Sequence, residues 1–307
     1  MSSSPISRTT FLYLTLAAAA WGIGTVVSKR AVVEIPPLTL LPIQLGASLA
    51  VLLLLTRWRG LPIRGASVPP VLGRLGVLNP GLAYALSLVG LVQVSASLSV
   101  MLWAIEPILI LVLAAVFLGE RVGRSVVGLS GVALGGMLLL IYQPGTAGTV
   151  SGVLVTVAGV GCCATYTVIT RRFLSSAGST AQVVVTQQLY AFGFALVLLG
   201  AIWGLRGPVL PVGLTVPGVI SAIASGGLYY GLAYWFYLSG LRHVPASIAS
   251  VSFYLIPVFG LAGAVALLGE GFEARQWVGV VIVLGALALV ARPVRAPRID
   301  ACPPTRS

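Results

Sequence analysis

Charge is what this sequence lacks most. Only 8% of its 307 residues are charged, whereas 58% are hydrophobic. Soluble domains carry about 25% charged residues, because water has to solvate most of their surface. A chain with so few charges cannot present an ordinary aqueous surface, so we expect lipid to cover much of it. The composition therefore predicts a membrane protein without a separate soluble domain.

Cysteine, histidine and acidic residues are also scarce, with three, one and six copies. Cys162 and Cys163 are adjacent in an apolar run and Cys302 is far away, so the spacing does not favour a metal site, and we expect no cofactor. The sequence has no Gly-x4-Gly-Lys-Ser/Thr loop for ATP. An intramembrane enzyme would need clustered acids or histidines, and the single His243 falls in a predicted turn. We therefore expect neither an ATP-driven pump nor an enzyme.

Long apolar runs are what the sequence has instead. The runs are about twice as long as a transmembrane β-strand and continuously apolar, which predicts an all-α membrane protein. Short segments rich in proline, glycine and arginine separate them. Ten transmembrane helices are predicted at 10–31, 38–56, 71–91, 94–118, 125–142, 150–170, 180–203, 215–240, 246–268 and 275–292.

The basic residues, which give a net charge of +12, lie in short clusters between these runs and not in one patch. This distribution argues against nucleic-acid binding and is typical of a topology signal, because cytoplasmic loops are enriched in lysine and arginine. One side of a ten-span chain receives Arg8, Arg57, Arg59, Arg64, Arg74, Arg121, Arg124, Arg171, Arg172, Arg242, Arg292, Arg295, Arg298 and Arg306. The other side receives Lys29, Arg30, Arg206 and Arg275. The imbalance predicts that both termini are cytoplasmic.

An internal repeat with a constant offset of 150 residues runs through the second part of each half. The matching segments are Gly81–Tyr84 with Gly231–Tyr234, Gly90–Leu91 with Gly240–Leu241, Val94 with Val244, Ala96–Ser97 with Ala246–Ser247, Pro107 with Pro257, and Leu118–Glu120 with Leu268–Glu270. Each unit holds five spans, and an odd number makes the second copy enter from the opposite side. The sequence thus predicts two inverted five-helix repeats, at 1–145 and 146–292, followed by a basic cytoplasmic tail at 293–307.

These features resemble the drug/metabolite transporter superfamily, specifically its ten-helix type with two EamA-like repeats. The resemblance rests on Trp21-Gly22 and on the two Pro-x11-Leu-Gly-Glu stretches, 107–120 and 257–270. Within that superfamily the chain looks most like bacterial aromatic amino acid exporters, which implies a multi-pass protein of the bacterial inner membrane. The resemblance also implies that spans five and ten support the bundle while the others surround a central cavity.

The function implied is secondary export of small amphipathic metabolites, amino acids among them, by alternating access around a midplane cavity. A sugar-phosphate or nucleotide-sugar carrier of the same superfamily is the main alternative, although most cations lie near the predicted span ends. A channel is less well supported, because the sequence lacks a repeated filter or a ring of like charge.

Glu106 is the sharpest candidate site residue. It is an acid deep within an apolar run, where a charge costs about 2.5–3.5 kcal/mol unless it faces a cavity or a partner. The adjacent Pro107 predicts a kink that frees the carbonyl of Trp103. The repeat places Ile256 at the equivalent position, so the acid belongs to one half only. We expect Glu106 to bind a substrate amine or a transported proton; a protonated carboxyl with a structural role is the alternative.

Polar and aromatic residues near the predicted span centres form a second group, because buried amides and phenols need partners that a cavity can supply. Helix packing explains any one of them equally well. The group is Trp21, Gln44, Asn79, Tyr84, Trp103, Tyr166, Gln187, Tyr230, Tyr234 and Tyr254.

Gly131-x3-Gly135 in span five is a pattern that lets helix backbones approach closely. We expect it to pack inside the bundle; a homodimer face is the alternative, and the sequence does not choose between monomer and dimer.

Overall fold

The computed structural model of the protein describes residues 7–60, 68–91, 93, 94, 96–142, 148–207, 213–268 and 273–290. Its helical segments are α1 (Arg8–Glu34), α2 (Pro37–Trp58), α3 (70–91), α4 (96–118), α5 (Arg124–Ile141), α6 (Val150–Leu174), α7 (Thr180–Arg206), α8 (216–241), α9 (246–268) and α10 (Ala274–Val290). Their bounds differ from the predicted spans by at most four residues, and the ten-helix prediction is confirmed. The predicted basic tail at 293–307 lies outside the described residues.

The described part of the chain is helical and contains no strand, only one isolated bridge between Val94 and Gly148. Among the described residues, seven helices are long and apolar enough to cross a membrane, and Glu106–Leu118 and Ala274–Val290 are shorter apolar helices. Many large apolar side chains on their outer faces are exposed. Such a surface is unfavourable in water and matches hydrocarbon, so the fold is that of a multi-pass membrane protein.

Local sequence signals set several helix ends. Ser179 and Gln182 form a reciprocal capping box at the start of α7, so two backbone N–H groups that the helix leaves free are bonded. Thr149 and Thr215 cap α6 and α8 through their side chains. Gly119 ends α4 with φ +64°, a left-handed conformation that other residues adopt rarely. These signals explain why the predicted boundaries agree with the structure.

Packing between the two halves follows an inverted-repeat symmetry. Helix α1 packs against α8 and α9, and its counterpart α6 packs against α3 and α4. Likewise α2 packs against α8, and α7 packs against α3. The pairs α2–α7 and α5–α10 join counterparts directly. Each contact is thus matched by the contact of the equivalent helices, as two inverted repeats around a shared axis require.

Helices α5 and α10 contact each other closely through Gly136 and Gly279. A Cβ on Gly279 would lie 2.7 Å from the Gly136 carbonyl oxygen, and one on Gly136 would lie 3.1 Å from the Gly279 carbonyl oxygen. Gly131 and Gly135, by contrast, are exposed and have open space where a Cβ would be. The expectation that Gly131 and Gly135 pack inside the bundle is therefore wrong, because they lie on the outer face of α5 while the adjacent Gly136 faces α10.

Candidate functional site

Four central helices depart from regular α-geometry at equivalent points of the two repeats. Helix α3 contains a π-helical stretch at Val77–Leu82, and α8 contains one at Gly226–Leu232. Helix α4 is interrupted between Trp103 and Glu106, as Pro107 predicted, and α9 is 3-10 helical over Ser250–Leu255. Transporters commonly bind their substrates where spanning helices are discontinuous, because free backbone groups become available there. The four irregular stretches therefore mark the candidate site.

Two glycines bring the irregular helices against a glutamine of the opposite repeat. A Cβ on Gly76 would overlap the backbone carbonyl of Gln187, and a Cβ on Gly226 would overlap that of Gln44. Gly76 and Gly226 are themselves 150 residues apart in the sequence. The α3–α7 and α8–α2 crossings are thus alike, because in each the backbone of one helix directly contacts the backbone of the other.

Trp21 of α1 is surrounded by three aromatic rings from α8 and α9. Its ring meets those of Tyr234, Tyr237 and Phe253 edge-on, with centroids 5.5, 5.4 and 5.3 Å away. The next residue, Gly22, allows this approach, since a Cβ there would lie 2.7 Å from the Gly260 backbone nitrogen. The Trp21-Gly22 pair therefore places an indole ring against the aromatic residues of α8 and α9.

Tyr84 of α3 forms the centre of a second set of rings. It stacks on Trp103 with centroids 5.8 Å apart, and meets Tyr229 and Tyr230 edge-on at 5.5 and 5.4 Å. We call the rings around Trp21 and Tyr84 together the aromatic cluster; its members are Trp21, Tyr84, Trp103, Tyr166, Tyr229, Tyr230, Tyr234, Tyr237 and Phe253.

Hydrogen bonds between buried side chains connect the cluster to two amides. The Tyr234 hydroxyl donates to Asn79 Oδ1 (2.9 Å), and the Tyr166 hydroxyl donates to Gln187 Oε1 (2.8 Å). The Tyr166 and Tyr234 rings also contact each other, with centroids 6.1 Å apart. These bonds fix the orientation of two phenols and two amides that come from four different helices.

Glu106 is the first residue of the second half of α4, directly after the interruption. Its side chain is half-buried and makes no hydrogen bond or ion pair with another described residue. Trp103, which stacks on Tyr84, lies three residues before Glu106 on the other side of the interruption. A carboxyl group in this position is available to a ligand or a proton.

The structure thus brings nine of the eleven predicted site residues together and leaves two apart. Gln44 Nε2 donates to Ser28 Oγ and Ser225 Oγ, both at 2.8 Å, and so ties α1, α2 and α8 together. Tyr254 is fully buried in a separate apolar cluster with Met137 of α5 and residues of α10. The nine in or beside the aromatic cluster are Trp21, Asn79, Tyr84, Trp103, Glu106, Tyr166, Gln187, Tyr230 and Tyr234.

Sequence reasoning missed Tyr229, Tyr237 and Phe253. The repeat could have found Tyr229 and Phe253, because an offset of 150 residues relates them to the predicted Asn79 and Trp103. Tyr237 corresponds to Ser87, which is not a candidate, so the sequence carries no signal for it. Equivalent positions therefore surround the site, but they carry different chemistry in the two repeats. The difference is largest at the pair Glu106 and Ile256.

Comparisons with known proteins agree with this architecture. The model of the EamA-like transporter family matches residues 8–142 and again 150–292. An uncharacterized transporter of Archaeoglobus fulgidus is 28% identical over 291 residues, covering 92% of this chain and 98% of the relative. Protein PecM of Dickeya dadantii is 26% identical over 240 residues, covering 74% of this chain and 77% of the relative. A protein of known crystal structure shares the fold with a TM-score of 0.79 at 19% identity, covering 95% of this chain and 99% of that one.

Proposed function

Because the chain belongs to the EamA-like transporter family of the drug/metabolite transporter superfamily, we propose that it exports small amphipathic metabolites as a secondary transporter. The substrates we propose are amino acids, aromatic ones among them. We place the protein in a bacterial inner membrane with both termini in the cytoplasm, and the boundary between its repeats at residues 145 and 146.

The observation that carries this proposal is the aromatic cluster with one carboxyl group beside it. The described side chains that form it are tyrosines, tryptophans and a phenylalanine, with two amides and Glu106 at its edge. Aromatic faces suit an apolar side chain, and they also attract ammonium groups by about 0.5–2 kcal/mol. A phosphorylated sugar would instead favour basic side chains, and the cluster contains none.

In alternating access, one side of the site is closed while the other is open. The contacts that close each side must therefore form and break in turn. On the side we propose to be cytoplasmic, the Glu120 carboxylate accepts hydrogen bonds from the first residues of α9. On the opposite side, the Glu34 carboxylate accepts bonds from the Thr215 backbone N–H (2.9 Å) and hydroxyl (2.7 Å) at the start of α8. Both contacts join the first repeat to the second, so relative motion of the repeats would break one or the other.

Reconstituted liposomes provide the test of the proposed function. Purified protein in liposomes should exchange labelled neutral amino acids, with and without a pH gradient, and should not exchange triose phosphates. Protein-free liposomes and liposomes with heat-unfolded protein serve as controls. Exchange of triose phosphates without exchange of any amino acid would overturn the substrate assignment and leave the fold and family unaffected.

A further inference from the structure

Two polar atoms within the aromatic cluster are buried and have no hydrogen-bond partner in the part of the chain that the structure describes. They are Nε1 of Trp21 and the hydroxyl of Tyr237, whose residues are 6% and 1% exposed. Their rings lie 5.4 Å apart. Thr167 is a polar neighbour of the Tyr237 hydroxyl, at a geometry outside that of a normal hydrogen bond. We call Trp21 Nε1 and the Tyr237 hydroxyl the donor pair.

A buried donor without a partner is unusual, because most such groups in proteins are bonded to protein, water or a ligand. Indole N–H is a donor only, so it can be satisfied only by an acceptor. Gln187 Nε2 is a third buried donor without a partner, while Oε1 of the same amide is occupied by Tyr166. The site therefore offers several free donors, which favours a ligand group rich in acceptors.

The two repeats differ in that only the first carries a carboxyl group near the break in its fourth helix. Tyr237, Phe253 and Ile256 of the second repeat correspond to Ser87, Trp103 and Glu106 of the first. Glu106 begins the second half of α4, three residues after Trp103, whose ring stacks on Tyr84. One carbon separates the ammonium and the carboxylate of an α-amino acid, so a substrate held by its carboxylate presents its ammonium nearby, and Glu106 is the acidic side chain that the candidate site offers to it.

We propose that the donor pair binds the carboxylate of an amino acid substrate, while its ammonium faces Glu106 and its side chain packs on the rings around Tyr84. This inference rests on the proposed function and adds an orientation to it, since it assigns the carboxylate of the substrate to the donor pair and the ammonium to Glu106. It assigns Tyr237, which the sequence did not single out, as a specificity-determining residue.

Tyr237→Phe tests the donor pair, because it removes one hydroxyl and keeps the ring. The probes are tryptophan and tryptamine, which differ by the carboxylate, and binding is measured by calorimetry on the purified protein. We expect tryptophan to bind about 10- to 100-fold more weakly to the variant, as for a lost hydrogen bond to a charged group, and tryptamine to bind as before. Tyr254→Phe is the matched control: it also removes a buried, unpartnered hydroxyl of a fully buried tyrosine, but outside the aromatic cluster. We expect Tyr254→Phe to leave the affinities for tryptophan and for tryptamine unchanged.

Equal weakening of both probes by Tyr237→Phe, or no change in either, would overturn the inference. A second pair of probes, phenylpropionate and phenethylamine, tests the donor pair separately from the proposed function. If the protein transports no amino acid but binds phenylpropionate, and Tyr237→Phe weakens that binding alone, the donor pair stands and the amino acid assignment falls. Binding of neither carboxylate probe to the wild-type protein would contradict the donor pair itself.

Discussion

The Glu120 carboxylate at the end of α4 binds Ser247 at the start of α9. Its oxygens accept bonds from the Ala246 and Ser247 backbone N–H groups (2.8 and 3.0 Å) and from the Ser247 hydroxyl (2.6 Å). A carboxylate at this place bonds N–H groups that a helix start leaves free, and its charge complements the helix dipole. The acid of the first Leu-Gly-Glu stretch thus connects the two repeats.

Glu120→Ala is expected to lower the free energy of unfolding by about 1–3 kcal/mol, because the N–H groups of α9 lose their acceptor. Thermal unfolding of the purified protein, followed by loss of the monodisperse peak, measures the change. Glu273→Ala is the control, since that carboxylate is 69% exposed and its contact with Arg275 is an exposed ion pair worth about 0–1 kcal/mol. Equal stability of the Glu120 and Glu273 variants would show that the bonds from Glu120 to α9 do not contribute to the free energy of unfolding.

Gly76→Ala is expected to destabilise the protein by about 1–3 kcal/mol, since its new Cβ would lie 2.8 Å from Gln187 Cα and would meet backbone, which cannot turn away. Gly161→Ala in α6 is the matched control, because nothing lies within 4 Å of a Cβ there. Alanine favours helix over glycine by up to about 1 kcal/mol, so the control should be neutral or stabilising. Unfolding midpoints of both variants check the difference, and a normal midpoint for Gly76→Ala would contradict the α3–α7 crossing.

Glu106→Gln is expected to express normally and to change the transport rate, its pH dependence, or both. The amide is close in size to the carboxyl but cannot bind a transported proton or pair with an ammonium. The measurement is the transport rate in liposomes across about pH 5 to 8, with Glu273→Gln as the exposed control. An unchanged rate over this range would assign Glu106 a structural role.

Topology is tested by reporter fusions or cysteine labelling. Both termini should be accessible from the cytoplasm and residue 145 from the opposite side, because the basic residues are concentrated on the side of the termini. Accessibility of residue 145 from the cytoplasm alone would contradict the orientation and the inverted repeat.

The sequence is sufficient to predict the ten helices, and nine of its eleven candidate site residues lie together in the structure. The lengths of the apolar runs determine the positions of the helices. The 150-residue repeat pairs Tyr84 with Tyr234. The sequence could not tell which face of a helix points inward, because these helices are apolar on all sides and show no amphipathic period. For that reason the expectation that Gly131 packs inside the bundle is wrong, and Gln44 and Tyr254 lie apart from the aromatic cluster.

The departures from α-geometry were only partly predictable. Pro107 indicates the break in α4, since proline removes a backbone donor. The π-helical stretch in α8 contains no proline, and its equivalent in α3 does. Each stretch starts at or directly after a glycine, Gly226 or Gly76, that lies against the other repeat, a contact that is distant along the chain.

Transport by Trp103→Ala most directly tests the central claim, that the aromatic cluster is the transport site. The substitution removes the ring stacked on Tyr84, and an aromatic pair is worth about 0.5–1.5 kcal/mol. We expect kcat/KM for tryptophan exchange in liposomes to fall about three- to tenfold. Cells producing the variant should also lose tolerance to toxic amino-acid analogues. Trp58→Ala, which removes an 82% exposed ring at the end of α2, should transport like the wild type. Wild-type exchange by Trp103→Ala would contradict the claim.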